Sequence, residues 1–304
     1  MLFFISFLLA SSLFLSCSTN ETEKQEFDNF LLKYDKNYSP DEYQSHFKIF
    51  QQKRQQMLSH NSKEGVSFQM GINEFSDLSF EEISSQQRNL KKIGSAQNSN
   101  QCDGSVELEG ECSGSIFYAM TDALSSCVCF NNAMFVKLSI QQLIDCASQF
   151  GCNGAEPEEL VKYMKTYGLC SDDDYPFVGE AGYCKSGKCK VQAKFENYHL
   201  IRGGDEVALL KAVQQYGSAF VLFDASSVAF QSYTHGIYDQ QCQNLELNHA
   251  MQLTGYGTQN GNPYWICKNT WGTGWGMEGY VWVYRGLNIC GIANEAYYFE
   301  GCSV

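Results

Sequence analysis

The sequence predicts an α+β protein of two lobes, one helical and one of strands, preceded by a helical front segment. Three observations predict it. Apolar residues recur at helical spacing between about residues 20 and 95, and again between Ile116 and Tyr167. From about Tyr198 the pattern changes to strand-like runs punctuated by glycine. The cysteines fall almost wholly at and after Cys102, which marks off the front segment. Helices followed by strands suit an α+β arrangement, and lobe interfaces are common places for a site.

The bulk properties narrow the function. At 304 residues and 44% hydrophobic content, the chain can bury one large core or two medium ones. A net charge of −13 and pI near 4.8 argue against nucleic acid and anionic membrane surfaces as partners. Four prolines exclude collagen-like and proline-rich disordered classes. Leu2 to Leu15 are apolar apart from Ser6, Ser11 and Ser12, and small residues follow. That run is shorter than the about 20 residues of a spanning helix and predicts a signal peptide over 1–18. An uncleaved anchor, or a lipobox at Cys17, is the alternative. Export predicts an extracellular, lysosomal or vacuolar fate, makes disulfides natural for 14 cysteines, and makes Asn20 and Asn37 (Asn-Glu-Thr, Asn-Tyr-Ser) possible glycan acceptors.

Taken in order, Phe27, Phe30, Leu31 and Tyr34 mark a first helix, and Tyr43, Phe47, Phe50, Met57 and Leu58 a second. The stretch 98–100, after Gly94, reads as an exposed linker. Residues 1–92 hold 10 basic and 12 acidic side chains, the remainder 11 and 22, so the acidity is concentrated in the second segment. There, helices are predicted over Ile116–Phe130, Ser139–Asp145 and Glu158–Tyr167. Strands follow at Phe220–Phe223, Ala250–Tyr256, Tyr264–Cys267 and Gly279–Tyr284.

Chemistry gathers at three places. His249 opens an apolar strand that ends in a glycine turn. Asn269, flanked by Trp271 and Trp275, is an amide suited to hold an imidazole by hydrogen bonding. Upstream, Gly110-Glu-Cys-Ser-Gly-Ser115 runs from a glycine-rich turn into a helix, whose N–H groups would stabilise an attacking anion.

These residues identify a resemblance. From residue 27 to its end the chain resembles precursors of papain-family cysteine peptidases of the cathepsin L type. The family's propeptide helix motif appears as Glu42, His46, Ile49, Phe50, Lys53, Met57 and Asn61, with His46 for Arg, Lys53 for Asn and Met57 for Ile. Its second motif is intact at Gly71, Asn73, Phe75 and Asp77. The resemblance implies a papain-like two-lobed fold, with a helical lobe over about 102–197 and a β-barrel lobe over about 198–304. It also implies an inhibitory propeptide over 19–95 and a peptidase domain over 96–304.

The nucleophile region departs from the family. The pattern Gln-Gly-x-Cys-Gly-Ser-Cys-Trp reads here Glu109-Gly-Glu-Cys112-Ser-Gly-Ser115-Ile116. Downstream register at Ala123-Leu124 sets Ser115 in the nucleophile position, Glu109 at the oxyanion Gln, and Ile116 at the Trp. A serine hydroxyl is far less acidic than a thiol of pKa about 8.5, so Ser115 would need His249 as general base. Asn269, being neutral, supports an imidazolium less than a carboxylate does. An ionised Glu109 would repel the oxyanion. Weak or absent peptidase activity with a peptide-binding cleft is expected. The alternatives are a working endopeptidase or serine hydrolase, and a non-enzymatic secreted structural protein.

The resemblance further implies substrate contacts at Gly154, Ala155 and Trp271. Glu295 falls at the floor of the P2 pocket, where it would favour basic side chains. Implied disulfides are Cys112–Cys152, Cys146–Cys184 and Cys242–Cys290. Among the other cysteines, Cys127 and Cys129 face different sides of one helix and should not pair with each other. No metal, cofactor, nucleic acid or membrane partner is expected after signal cleavage. The partners are a peptide or protein ligand in the cleft and the chain's own propeptide, on a monomer.

Overall fold

In a computed structural model, the described residues are 21–86, 102–106, 112 and 114–304, without the side chains of 85 and 86. The expected signal peptide, the linker at 98–100 and Glu109 lie outside them. The front segment begins with helices α1 (21–33) and α2 (Pro40–Asn61). They close over Phe27, Phe30 and Phe50, whose rings pack 5.0–5.8 Å apart. The start of α2 is sharp because Ser39 and Glu42 cap each other's backbone N–H groups and Pro40 follows the cap.

The front segment is not wholly helical, contrary to expectation. Phe68–Met70 form a strand, β1, and Phe80–Gln86 a short helix, α3. Strand β1 pairs antiparallel with Tyr233–Tyr238, with Phe68 opposite Gly236. Physically, a sheet edge offers unpaired N–H and C=O groups, and a neighbouring extended segment satisfies them. Gly236 (φ +96°) permits the approach, since a Cβ there would stand 2.4 Å from the Ser67 carbonyl oxygen.

The helical lobe is built round α4 (Ser115–Asn132), with α5 (Ile140–Cys146) and α6 (Pro157–Tyr167) against it. Helix α4 is apolar nearly all round and accordingly buried, from Ile116 to Cys129. Its ends extend one or two residues beyond the run read from periodicity. A two-stranded sheet, β2 (Leu169–Cys170) with β3 (Val191–Ala193), completes the lobe.

The second lobe contributes β4 (Asn197–Arg202), β5 (Ala219–Phe223), β6 (Tyr233–Tyr238), β7 (His249–Gln259), β8 (Asn262–Lys268), β9 (Tyr280–Tyr284) and β10 (Glu295–Glu300). Helices α7 (Glu206–Tyr216) and α8 (Val228–Gln231) join them. With β1 the sheet runs β1-β6-β9-β8-β7-β5-β10-β4. Every pairing is antiparallel except β6 with β9. One core spans both lobes, in which Phe220, Ala250, Tyr297 and Phe299 of the sheet pack with the apolar side chains of α4. A second core lies within the sheet lobe and takes in Met57, Phe68, Met70, Phe75 and Ile83 of the front segment.

Six disulfides form among the described residues. Three are the pairs named above. The others are Cys102–Cys129, Cys127–Cys302 and Cys170–Cys189. Cys127 and Cys129 thus clamp two different partners to α4, and Cys267 stays a buried free thiol. No helix of the described residues is long and apolar enough to cross a membrane.

Candidate functional site

Where α4 begins, the chain faces the first residues of β7. Ser115 is the first residue of α4, and its N-cap Gly114 offers no side chain to the helix N–H groups. A Cβ at Gly114 would meet the Phe117 ring at 2.4 Å, so the residue is held small by packing. The Ser115 Oγ accepts a hydrogen bond from the Ala250 N–H at 3.1 Å, which links α4 to β7.

His249 opens β7 and is buried. Its Nε2 lies 2.7 Å from Asn269 Oδ1, which also accepts the Thr270 N–H at 2.8 Å. The second bond identifies that amide atom as oxygen, so Nε2 carries the proton and Nδ1 holds the free lone pair. Burial lowers the imidazole pKa to about 4, against a smaller upward pull from Asn269. The neutral ring is therefore the stable form near pH 7, and a weakly basic one. The Trp271 ring covers it, with centroids 5.0 Å apart, and is itself packed by Trp275 and Phe230. Asn269 is fully buried, and its Nδ2 finds no partner among the described residues.

Ser115, His249, Gly154, Ala155 and Trp271 line one cavity of about 340 Å³, with Asn269 behind His249. Ile116, expected beside the nucleophile position, supplies wall as well, and Leu222, Leu247 and Pro157 add wall that sequence reasoning did not assign. Nothing in a single sequence signals Leu222, because the pairing of β5 with β7, Leu222 opposite Ala250, brings it there. Gly154 has φ +98°, and a Cβ there would meet nothing within 4 Å, so its constraint is conformational rather than steric. Cys112 is bonded to Cys152 and is not available as a nucleophile. Glu295 is not part of this cavity lining. It lies on β10 opposite Arg202, and its carboxylate accepts the Tyr297 hydroxyl at 3.2 Å.

The front segment reaches the same cavity. Ser84 of α3 lines it, and the Phe75 ring packs 5.6 Å from Trp271. Asn73 Nδ2 donates to the Gln231 carbonyl at 2.8 Å. Lys53, buried, donates to the Phe75 carbonyl at 3.0 Å and to Gln231 Oε1 at 2.8 Å. Desolvation lowers its pKa to about 8, partly countered by Asp77 and Glu82. His46 stacks on Tyr38 and sets Nδ1 2.9 Å from the Asp77 carbonyl oxygen. Two of the three residues that depart from the helix motif, His46 and Lys53, thus face inward, and Met57 is buried as well.

Comparisons with known proteins agree with this arrangement. Residues 91–300 match the description "Papain family cysteine protease", and residues 27–83 match "Cathepsin propeptide inhibitor domain (I29)". Pro-cathepsin H of Bos taurus is 32% identical over 302 residues, covering 91% of this chain and 90% of its own length. Cysteine proteinase 3 of Solanum lycopersicum is 33% identical over 298 residues, covering 90% and 83%. Among solved structures, digestive procathepsin L 3 of Tenebrio molitor larval midgut is 31% identical with a TM-score of 0.76. That likeness covers 91% of this chain and 99% of that one.

Proposed function

This chain belongs to the papain family of cysteine proteases and carries the cathepsin propeptide inhibitor domain ahead of its protease domain, and from that premise we propose a secreted proprotein whose cleft binds peptides but cleaves them weakly or not at all. In this reading residues 1–18 are the signal peptide, 19–95 the prosegment and 96–304 the peptidase domain. The helical lobe covers about 102–197 and the sheet lobe about 198–304.

One observation carries the reading. The residue that opens α4 beside His249 is Ser115, while the nearest cysteine in sequence, Cys112, is bonded to Cys152. A papain-type thiol forms a thiolate–imidazolium pair because its pKa of about 8.5 is within reach of an imidazole. A serine hydroxyl is not, and it attacks only with strong general-base help. His249, pushed to about 4 and supported by a neutral amide, is a poor base for that task. Glu109 in place of an oxyanion donor makes matters worse. Losing one such donor lowers the rate by about 10²–10³, before any repulsion. The cleft, lined by Ser115, Asn153, Glu156 and His249 as well as by Ile116, Leu222 and Leu247, is fit to hold an extended peptide.

The test is turnover of peptide and ester substrates by processed protein. Wild type is expected to match Ser115→Ala within error. Ser115→Cys should gain measurable amidase activity, and adding Glu109→Gln should raise it by about a further 10²-fold. Wild-type turnover well above Ser115→Ala would instead make the protein a serine-nucleophile hydrolase.

A further inference from the structure

Two Asn-x-Ser/Thr motifs occur in the whole sequence, Asn20-Glu-Thr22 and Asn37-Tyr-Ser39, and both precede the papain-like match that begins at residue 91. Asn20 lies outside the described residues. Asn37 stands in the turn between α1 and α2, on no helix or strand, and is exposed. Its neighbours on both sides turn inward to one acid. Lys36 Nζ lies 2.5 Å from Asp77 Oδ1, and the Tyr38 hydroxyl donates to Asp77 Oδ2 at 2.7 Å. Tyr38 also stacks on His46. With 36 and 38 anchored inward, Asn37 is left facing solvent.

We propose that Asn37 is an N-glycosylation site, and that the carbohydrate of this protein is confined to its prosegment. The ligand class is a lipid diphosphate-linked oligosaccharide met during secretion. The Asn37 Nδ2 forms a bond to the anomeric carbon of the first sugar, the bond from that carbon to the diphosphate oxygen breaks, and the lipid diphosphate leaves as the amide nitrogen gives up one proton. The fold accepts the product without rearrangement. The modified nitrogen makes no hydrogen bond among the described residues, and neither the inward anchors at Lys36 and Tyr38 nor the Ser39 cap of α2 involves it. One consequence follows for the processed protein. The chain after residue 91 contains no acceptor motif, so removing the prosegment removes the glycan with it.

The inference rests on the secretory reading, and the test separates the two. The full chain is expressed in eukaryotic cells behind its own first 18 residues and, in parallel, behind a leader known to translocate. Asn37 is then analysed by enzymatic deglycosylation and peptide mass spectrometry. Conversion of Asn37 to Asp on deglycosylation is expected, with a mobility shift that survives in Ser39→Thr and is lost at that site in Asn37→Gln. Ser39→Asp keeps an N-cap for α2 while removing the motif, so its loss of glycan cannot be ascribed to misfolding. Glycan behind the borrowed leader alone would overturn the secretory reading and leave the site standing. Asn37 recovered unmodified from translocated protein, or carbohydrate found on processed protein, would overturn the proposal.

Discussion

At residue scale, the account turns on what surrounds one imidazole. The His249–Asn269 pair was legible in the sequence, because a histidine at the head of an apolar strand and an amide between tryptophans have few other uses together. Ser115 was legible as well, through the register of α4 at Ala123-Leu124. The cavity wall at Leu222 was not, because it depends on which strands pair. Burial sets a pH prediction. The folded pKa of His249, about 4, lies below its unfolded value of about 6.5. Between those values the unfolded chain binds the extra proton, so folding stability falls as pH drops from about 6.5 towards 4. The loss is at most about 3 kcal/mol, and above pH 6.5 this group leaves stability unchanged. Urea unfolding of the proprotein across that window should show the slope, and His249→Gln should flatten it. An equal slope in the variant would mean that other groups cause it.

At element scale, the front segment is tied to the body by strand β1, an aromatic contact and one buried cation. Periodicity revealed α1 and α2, since both carry a repeated aromatic stripe. It missed β1, because three residues are too few to show alternation and the partner edge, Tyr233–Tyr238, is far along the chain. Gly236 is where that junction is tightest. Gly236→Val is expected to separate β1 from β6, since its Cβ has no room and its φ of +96° strains a β-branched residue. The prosegment should then become cleavable by an added protease at least tenfold faster, with the peptidase domain left intact. Unchanged cleavage would show that α2 and Lys53 alone hold the prosegment.

At the scale of the whole molecule, disulfides do what a shared core leaves undone. Three of the six pairs were inferable only by resemblance, and the other three had no signal, because spacings of 27, 175 and 19 residues do not constrain partners. Cys127–Cys302 closes the longest loop and fixes the C-terminus onto α4. Chain-entropy reasoning allows it up to about 5 kcal/mol, so replacing both cysteines by Ala should lower the melting temperature by several degrees or more. A negligible change would assign the C-terminal anchor to packing alone. The fold and the propeptide domain are those of the papain family, and the proposed loss of activity rests on Ser115 together with Glu109. Active-site titration with an activated ester tests that claim most directly. Processed wild type should give no burst of released alcohol, while Ser115→Cys gives one. A burst approaching one equivalent from wild type, abolished in Ser115→Ala, would contradict the account.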